Sequence, residues 1–124
     1  LILINAKNNR IFGFISLINL EDFRYQYKKV YPNKELSIPT ITLKGLFINN
    51  LFIHPNYRKK SFGILIINHI INYANNNNFD HIVCQVYNNN IPAMKLYQKM
   101  KFRSYMVGIC PNNNQKCSIL YYSK

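Results

Sequence analysis

The chain has 124 residues, 48% of them hydrophobic, with eight Phe and ten Tyr, enough apolar surface for one core and too much for a disordered segment. Sixteen Lys and Arg against four acids give a formal charge of +12, which favours anionic partners such as nucleotides, phosphate cofactors, nucleic acid or acidic protein surfaces, or equally serves solubility alone. Three cysteines (Cys84, Cys110, Cys117) without metal-ligand spacing indicate neither a disulfide framework nor a zinc site, and no apolar run reaches the roughly 20 residues of a membrane helix. A reducing, intracellular setting, cytoplasmic or nuclear, is the expectation.

Residues 1–6 and 11–18 are apolar runs either side of the turn signal Asn8-Asn9 and read as a β-hairpin. Gly13, inside the second run, marks a bulge or the close approach of another element. Residues 21–40 have mixed charge, two prolines and no sustained period, so they read as a long loop with at most a helical turn over 22–28. Tyr25, Tyr27 and Tyr31 in that loop are candidates for hydrophobic pins or for substrate contacts.

Residues 41–53 form the next strand. His54-Pro55-Asn56 connects it to a basic turn, 57–63, that opens a long apolar helix. Free backbone N–H groups at such a helix start make an anion site. Ile64, Ile67, Ile71 and Ala74 share a stripe, with Phe62, Ile66 and Ile70 beside it, so the helix lies on a sheet. Asn residues at 75–78 end it. Residues 81–87 are a strand, Asn90 caps a helix beginning at Ile91-Pro92 and running to Met100, and 102–109 with 117–122 close the chain as an antiparallel pair. The class is α/β (α+β): one domain over 1–124, with a mixed, mostly antiparallel sheet around a parallel strand-helix-strand unit.

Two segments say more. Leu51-Phe52-Ile53-His54-Pro55-Asn56-Tyr57-Arg58-Lys59-Lys60-Ser61-Phe62-Gly63 resembles the Arg/Gln-x-x-Gly-x-Gly/Ala motif of the Gcn5-related N-acetyltransferases (GNAT). Asn90-Ile91-Pro92-Ala93-Met94-Lys95-Leu96-Tyr97-Gln98-Lys99-Met100-Lys101-Phe102 resembles their Asn-x-x-Ala-x-x-Leu-Tyr-(x)3-Gly-Phe segment. The resemblance, from Gly13 to the C-terminus, implies a GNAT fold with helices on both faces and an upstream strand and helices before Leu1. It implies acetyl-CoA as co-substrate. The pantetheine arm would pair with Leu51, Phe52 and Ile53, and the pyrophosphate would lie on Arg58, Lys59, Lys60, Ser61, Phe62 and Gly63. Asn90 and Lys99 would also contact the cofactor, and Tyr97 would protonate or hydrogen-bond the departing thiolate. The long loop and residues 84–93 are similar to the protein N-terminal acetyltransferases, which makes a protein or peptide N-terminus the expected acceptor.

Ser61 and Lys101 stand where the family prefers Gly. Phe47 and Gln85 align with the Tyr and His that handle the proton in the N-terminal enzymes, and neither is a base. Water held by Gln85, Asn49 or Asn50 would then relay the proton, at a cost of about 1 kcal/mol or less for an α-amine against roughly 4 for a Lys side chain near neutral pH. The alternatives are a small-amine or lysine acetyltransferase, or a non-catalytic acyl-CoA-binding domain. His54, His69, His81 and Cys84 read as structural. Neither a metal nor nucleic acid is expected, because the basic residues are not interleaved with exposed aromatics.

Overall fold

The apolar runs pair into a single sheet. The computed structural model describes residues 2–5, 11–33, 44–55, 58, 62–109 and 114–123. In chain order the elements are β1 (Ile2–Asn5), β2 (Ile11–Asn19), α1 (Leu20–Val30), β3 (Gly45–Ile53), α2 (Phe62–Asn76), β4 (His81–Tyr87), α3 (Ile91–Lys99), β5 (Arg103–Ile109) and β6 (Lys116–Ser123). The sheet order is β1-β2-β3-β4-β6-β5, antiparallel at every step except β3–β4, which the α2 crossover makes parallel. The turn expected at 8–9, the strand residues expected at 41–43 and residues 110–113 between the closing pair lie outside the described residues.

Strand alternation sorts the core into two layers. Leu46, Ile48, Ile82, Cys84 and Val86 face α2 and α3, where they meet Ile66, Ile67, Ile70, Ala74 and Tyr97. Phe47, Val83 and Ile119 face the other way and meet Leu20 and Phe23 of α1. Helices therefore cover both faces. The buried stripe of α2 is centred on Ile66, Ile67, Ile70 and Ala74, with Phe62, Ile64 and Ile71 at its margins.

The loop expected over 21–40 is corrected: residues Leu20–Val30 are a full helix. The Asn19 side chain accepts from the Glu21 N–H at 2.9 Å, Glu21 and Asp22 occupy the first turn, and Lys28 and Lys29 the last. Each complements the helix dipole. Phe23, Tyr27 and Tyr31, four residues apart, form a ladder with ring centroids 6.2 and 5.0 Å apart, and Phe23 stacks on Phe47 at 3.9 Å. The ladder runs along one side of the helix, and the Phe23–Phe47 stack joins that side to the sheet. Tyr27 and Tyr31 are half-buried pins, whereas Tyr25 is exposed with the Lys29 ammonium over its ring.

Gly13 meets its close neighbour: a Cβ there would overlap the Phe52 carbonyl oxygen on β3. The C-termini of α2 and α3 close in the same way. Asn78 (φ 62°) and Lys101 (φ 69°) are left-handed, the Phe79 N–H returns to the Ala74 carbonyl, and the Phe102 N–H returns to the Tyr97 carbonyl, both at 2.9 Å. The Lys101 N–H also bonds the Gln98 carbonyl, completing a Schellman cap whose usual apolar contact is the Tyr97–Phe102 ring pair at 5.0 Å. The turn that the family closes with Gly is thus present here with Lys bearing its strain. Lys101→Gly should stabilise the fold by about 1 kcal/mol, raising Tm by roughly 4 °C in calorimetry; an unchanged or lower Tm would contradict the strain.

Candidate cofactor and catalytic site

The central parallel pair is short. Gly45 to Ile48 pair with His81 to Cys84, and no β3–β4 pair among the described residues lies beyond Ile48–Cys84. Both strands nevertheless continue, β3 to Ile53 alongside β2 and β4 to Tyr87 alongside β6. The strands fork. The register between β2 and β3 slips at the same point, Ser16 opposing Asn50 and Leu17 opposing Ile48, so Asn49 is a bulge residue, which bends β3 as it leaves β4. Asn49 and Asn50 are both exposed, breaking the apolar run of β3 where the strands part.

The inner edges of the fork, 49–53 and 85–87, present backbone donors and acceptors at strand spacing, which suits a thin extended ligand carrying amides. Each arm leads to a helix N-terminus. Beyond β3, α2 begins at Phe62 with no acid in its first turn, and the positive end of a helix dipole favours an anion there. Beyond β4, Asn90 caps α3 by accepting the Ala93 N–H at 3.3 Å, and Pro92 occupies the first turn. The first turn of α2 packs against the body of α3: a Cβ on Gly63 would lie 2.8 Å from Leu96 Cδ2. Leu51 and Ile53 are half-buried and Phe52 is exposed. Arg58 folds back on the strand end, its Nε donating to the Ile53 carbonyl at 2.9 Å and its guanidinium 5.8 Å from the Phe52 ring centroid. Lys59, Lys60 and Ser61 lie outside the described residues. Lys99 is exposed in the last turn of α3.

Tyr97 is 5% exposed, and its hydroxyl hydrogen-bonds the thiol of Cys84, the β4 residue of the last β3–β4 pair. The hydroxyl therefore lies at the apex of the fork. Burial first, then the Cys84 sulfur, raises the Tyr97 phenol well above its ordinary value of 10.0, and burial likewise raises the Cys84 thiol. Both stay protonated at physiological pH.

Gln85 points the other way. It follows Cys84 on β4, so alternation places it on the α1 face with Val83, and its Nε2 donates to the Cys117 sulfur at 2.9 Å. The structure thus sets Tyr97 and Gln85 on opposite faces, with the fork as the passage between them. Phe47, one pair before the apex, is buried under Phe23. His54 and His69 are exposed, away from the apex, and His81 starts β4 at its far end. A separate cavity of about 660 Å³, lined by Lys101, Phe102, Arg103, Tyr121, Tyr122 and Ser123, opens near that far end, away from the fork. Among the described residues no cluster of three or more His, Cys, Asp or Glu could hold a metal, and no helix is long and apolar enough to cross a membrane.

Sequence reasoning missed the Asn49 bulge and both cysteine partners. The paired Asn49-Asn50 interrupting an apolar strand was a usable sign of the first. No spacing pattern announces the second, since the partners are 13 and 32 residues apart.

The Acetyltransferase (GNAT) family model matches residues 1–102; the chain belongs to this family, whose enzymes take acetyl from acetyl-CoA. Solved structures agree at the level of fold. A mutant spermidine N-acetyltransferase SpeG from Vibrio cholerae superposes with a TM-score of 0.71 at 16% identity, covering 98% of this chain and 63% of that one. Arabidopsis thaliana NAA60 in complex with acetyl-CoA gives 0.68 at 17%, covering 97% and 71%. The ribosomal-protein-S18-alanine N-acetyltransferase from Escherichia coli gives 0.67 at 13%, covering 95% and 64%. The chain thus spans roughly two thirds of the length of these proteins. A search of curated protein sequences returns no match.

The raised thiol makes folding pH-dependent. Below its ordinary value of 9.0, Cys84 is neutral folded and unfolded, and its contribution is complete. As pH rises above that value, the unfolded chain loses the thiol proton while the folded one keeps it, and stability falls by about 1.4 kcal/mol per pH unit. Urea titrations should therefore show the wild type's stability lead over Cys84→Ala shrinking by about that much from pH 9.5 to 10.5. A constant lead would show that the thiol is not held neutral.

Proposed function

We propose that the chain is an N-acetyltransferase that moves acetyl from acetyl-CoA to an amine, and that its acceptor is the N-terminal α-amine of a protein or peptide. The observation that carries the reading is the forked β3–β4 pair with the Tyr97 hydroxyl at its apex. The fork's backbone edges suit the two amides of a pantetheine arm, with Leu51, Phe52 and Ile53 as one wall. The N–H groups from Phe62 and Gly63, with Arg58, Lys59, Lys60 and Ser61 before them, suit the pyrophosphate. Asn90, at the α3 start, retains its amide N–H groups for the cofactor, and Lys99 adds charge.

Acetyl-CoA supplies the activated acyl group as a thioester. The acceptor nitrogen bonds to the acetyl carbon, the C–S bond breaks with its electron pair going to sulfur, and the amine proton goes to solvent through water beside Gln85, Asn49 or Asn50. Tyr97 meets the sulfur. A thiol near 8.5 and a phenol raised above 10 make full proton transfer to the leaving sulfur uphill by more than 2 kcal/mol, so Tyr97 acts by donating a hydrogen bond to the thiolate rather than by giving up its proton. Among the described residues no carboxylate or imidazole stands at the apex, and an α-amine, whose pKa of about 8 lies nearest physiological pH, needs the least help in deprotonation.

Acetyl-CoA at 100 times its Kd should stabilise the protein by about 2.7 kcal/mol. Tyr97→Phe should lower turnover roughly 10- to 100-fold, the worth of a charged hydrogen bond, while changing acetyl-CoA affinity less than about threefold. Absence of any thermal shift at millimolar acetyl-CoA would overturn the reading. Binding without transfer to N-terminal peptides, spermidine or lysine peptides would instead support the non-catalytic alternative, which the burial of Phe47 under Phe23 favours.

A further inference from the structure

The two side chains placed nearest the reaction are each tied to a buried cysteine. Tyr97 bonds Cys84 on the helix face, and Gln85 bonds Cys117 on the α1 face. The first pairing is informative because of where it falls. Cys84 is 2% exposed, it is the last β4 residue to pair with β3, and it is the hydrogen-bond partner of Tyr97 among the described residues. Chain and ring geometry already fix where the Tyr97 ring lies, through the Schellman cap and the Phe102 contact. What they leave undetermined is the rotation of the hydroxyl about its C–O bond, and only a partner at the apex sets that.

We propose, on the reading that Tyr97 meets the cofactor sulfur, that Cys84 is a positioning residue: its sulfur holds the Tyr97 hydroxyl at the fork apex, beside the place the sulfur of CoA takes, until that sulfur draws it away. Sulfur suits the task because it is a weak acceptor. A carbonyl or carboxylate there would keep the hydroxyl for itself, whereas a thiol keeps it oriented and releases it at small cost when a stronger acceptor, the departing thiolate, arrives. The neighbouring Gln85–Cys117 bond follows the same pattern on the other face.

The test uses binding alone, so it needs no knowledge of the acceptor. Calorimetric Kd values for CoA and for desulfo-CoA, in which hydrogen replaces the thiol, isolate the part of the affinity owed to sulfur. Measured at pH 8.5, the preference for CoA should fall about fivefold in Cys84→Ala, vanish in Tyr97→Phe, and fall no further when the two are combined. Cys84→Ser, which keeps a hydrogen-bonding atom, should retain the preference within about twofold; Cys84→Val, which fills the space without one, reports the loss should Cys84→Ala not fold. Equal weakening of both ligands, or the same effect of Cys84→Ala with and without the Tyr97 hydroxyl, would reduce Cys84 to a packing residue and overturn the inference. A preference untouched by Tyr97→Phe would overturn the assigned role of Tyr97 as well, and failure of wild type to bind CoA would overturn the cofactor reading beneath both.

Discussion

The functional geometry depends on a parallel pairing that stops early. A strand pair that ran the full length of β3 and β4 would satisfy its own backbone and leave no edge for a ligand. Here the pairing ends at Ile48–Cys84, and the Asn49 bulge turns β3 aside immediately afterwards. Antiparallel neighbours on the outer sides, β2 and β6, hold each arm in place, so the opening costs no strand its structure. Everything assigned to the site is arranged around that point: two helix starts at the ends of the arms, Tyr97 at the apex, and the α1 face beyond.

The position of Tyr97 is determined by two constraints from opposite directions. From its own helix, the cap at Lys101 returns the Phe102 N–H to the Tyr97 carbonyl and brings the two rings together. From the sheet, Cys84 engages the hydroxyl. A left-handed Lys is an unfavourable residue for such a cap, yet the cap forms, because the hydrogen bonds and the ring pair together outweigh a strain of about 1 kcal/mol.

Much of this was legible in residue patterns. The strand-turn-helix through Gly63 and the helix from Asn90 through Tyr97 were readable because their signals are local: capping Asn, Pro in a first turn, apolar stripes at helical spacing. The mixed sheet followed from the order of elements. Helix α1 reads as a loop in sequence although Asn19, Glu21-Asp22 and Lys28-Lys29 are local helix signals; what holds it, Leu20 and Phe23 against Phe47, Val83 and Ile119, joins residues at least 24 positions apart. The Cys84–Tyr97 and Gln85–Cys117 bonds were hidden for the same reason: they exist only once β4 lies against α3 on one side and β6 on the other.

The fork also bears on the energetics of recognition. Because each arm is braced by its outer neighbour on either side of the Asn49 bulge, none of the strand pairings among the described residues has to break for an extended ligand to slide between Asn49–Ile53 and Gln85–Tyr87. The cost that proteins incur when a groove must first open is absent. Association should then proceed as a single diffusive step, its rate rising at low ionic strength because an anionic ligand is drawn toward a strongly cationic chain.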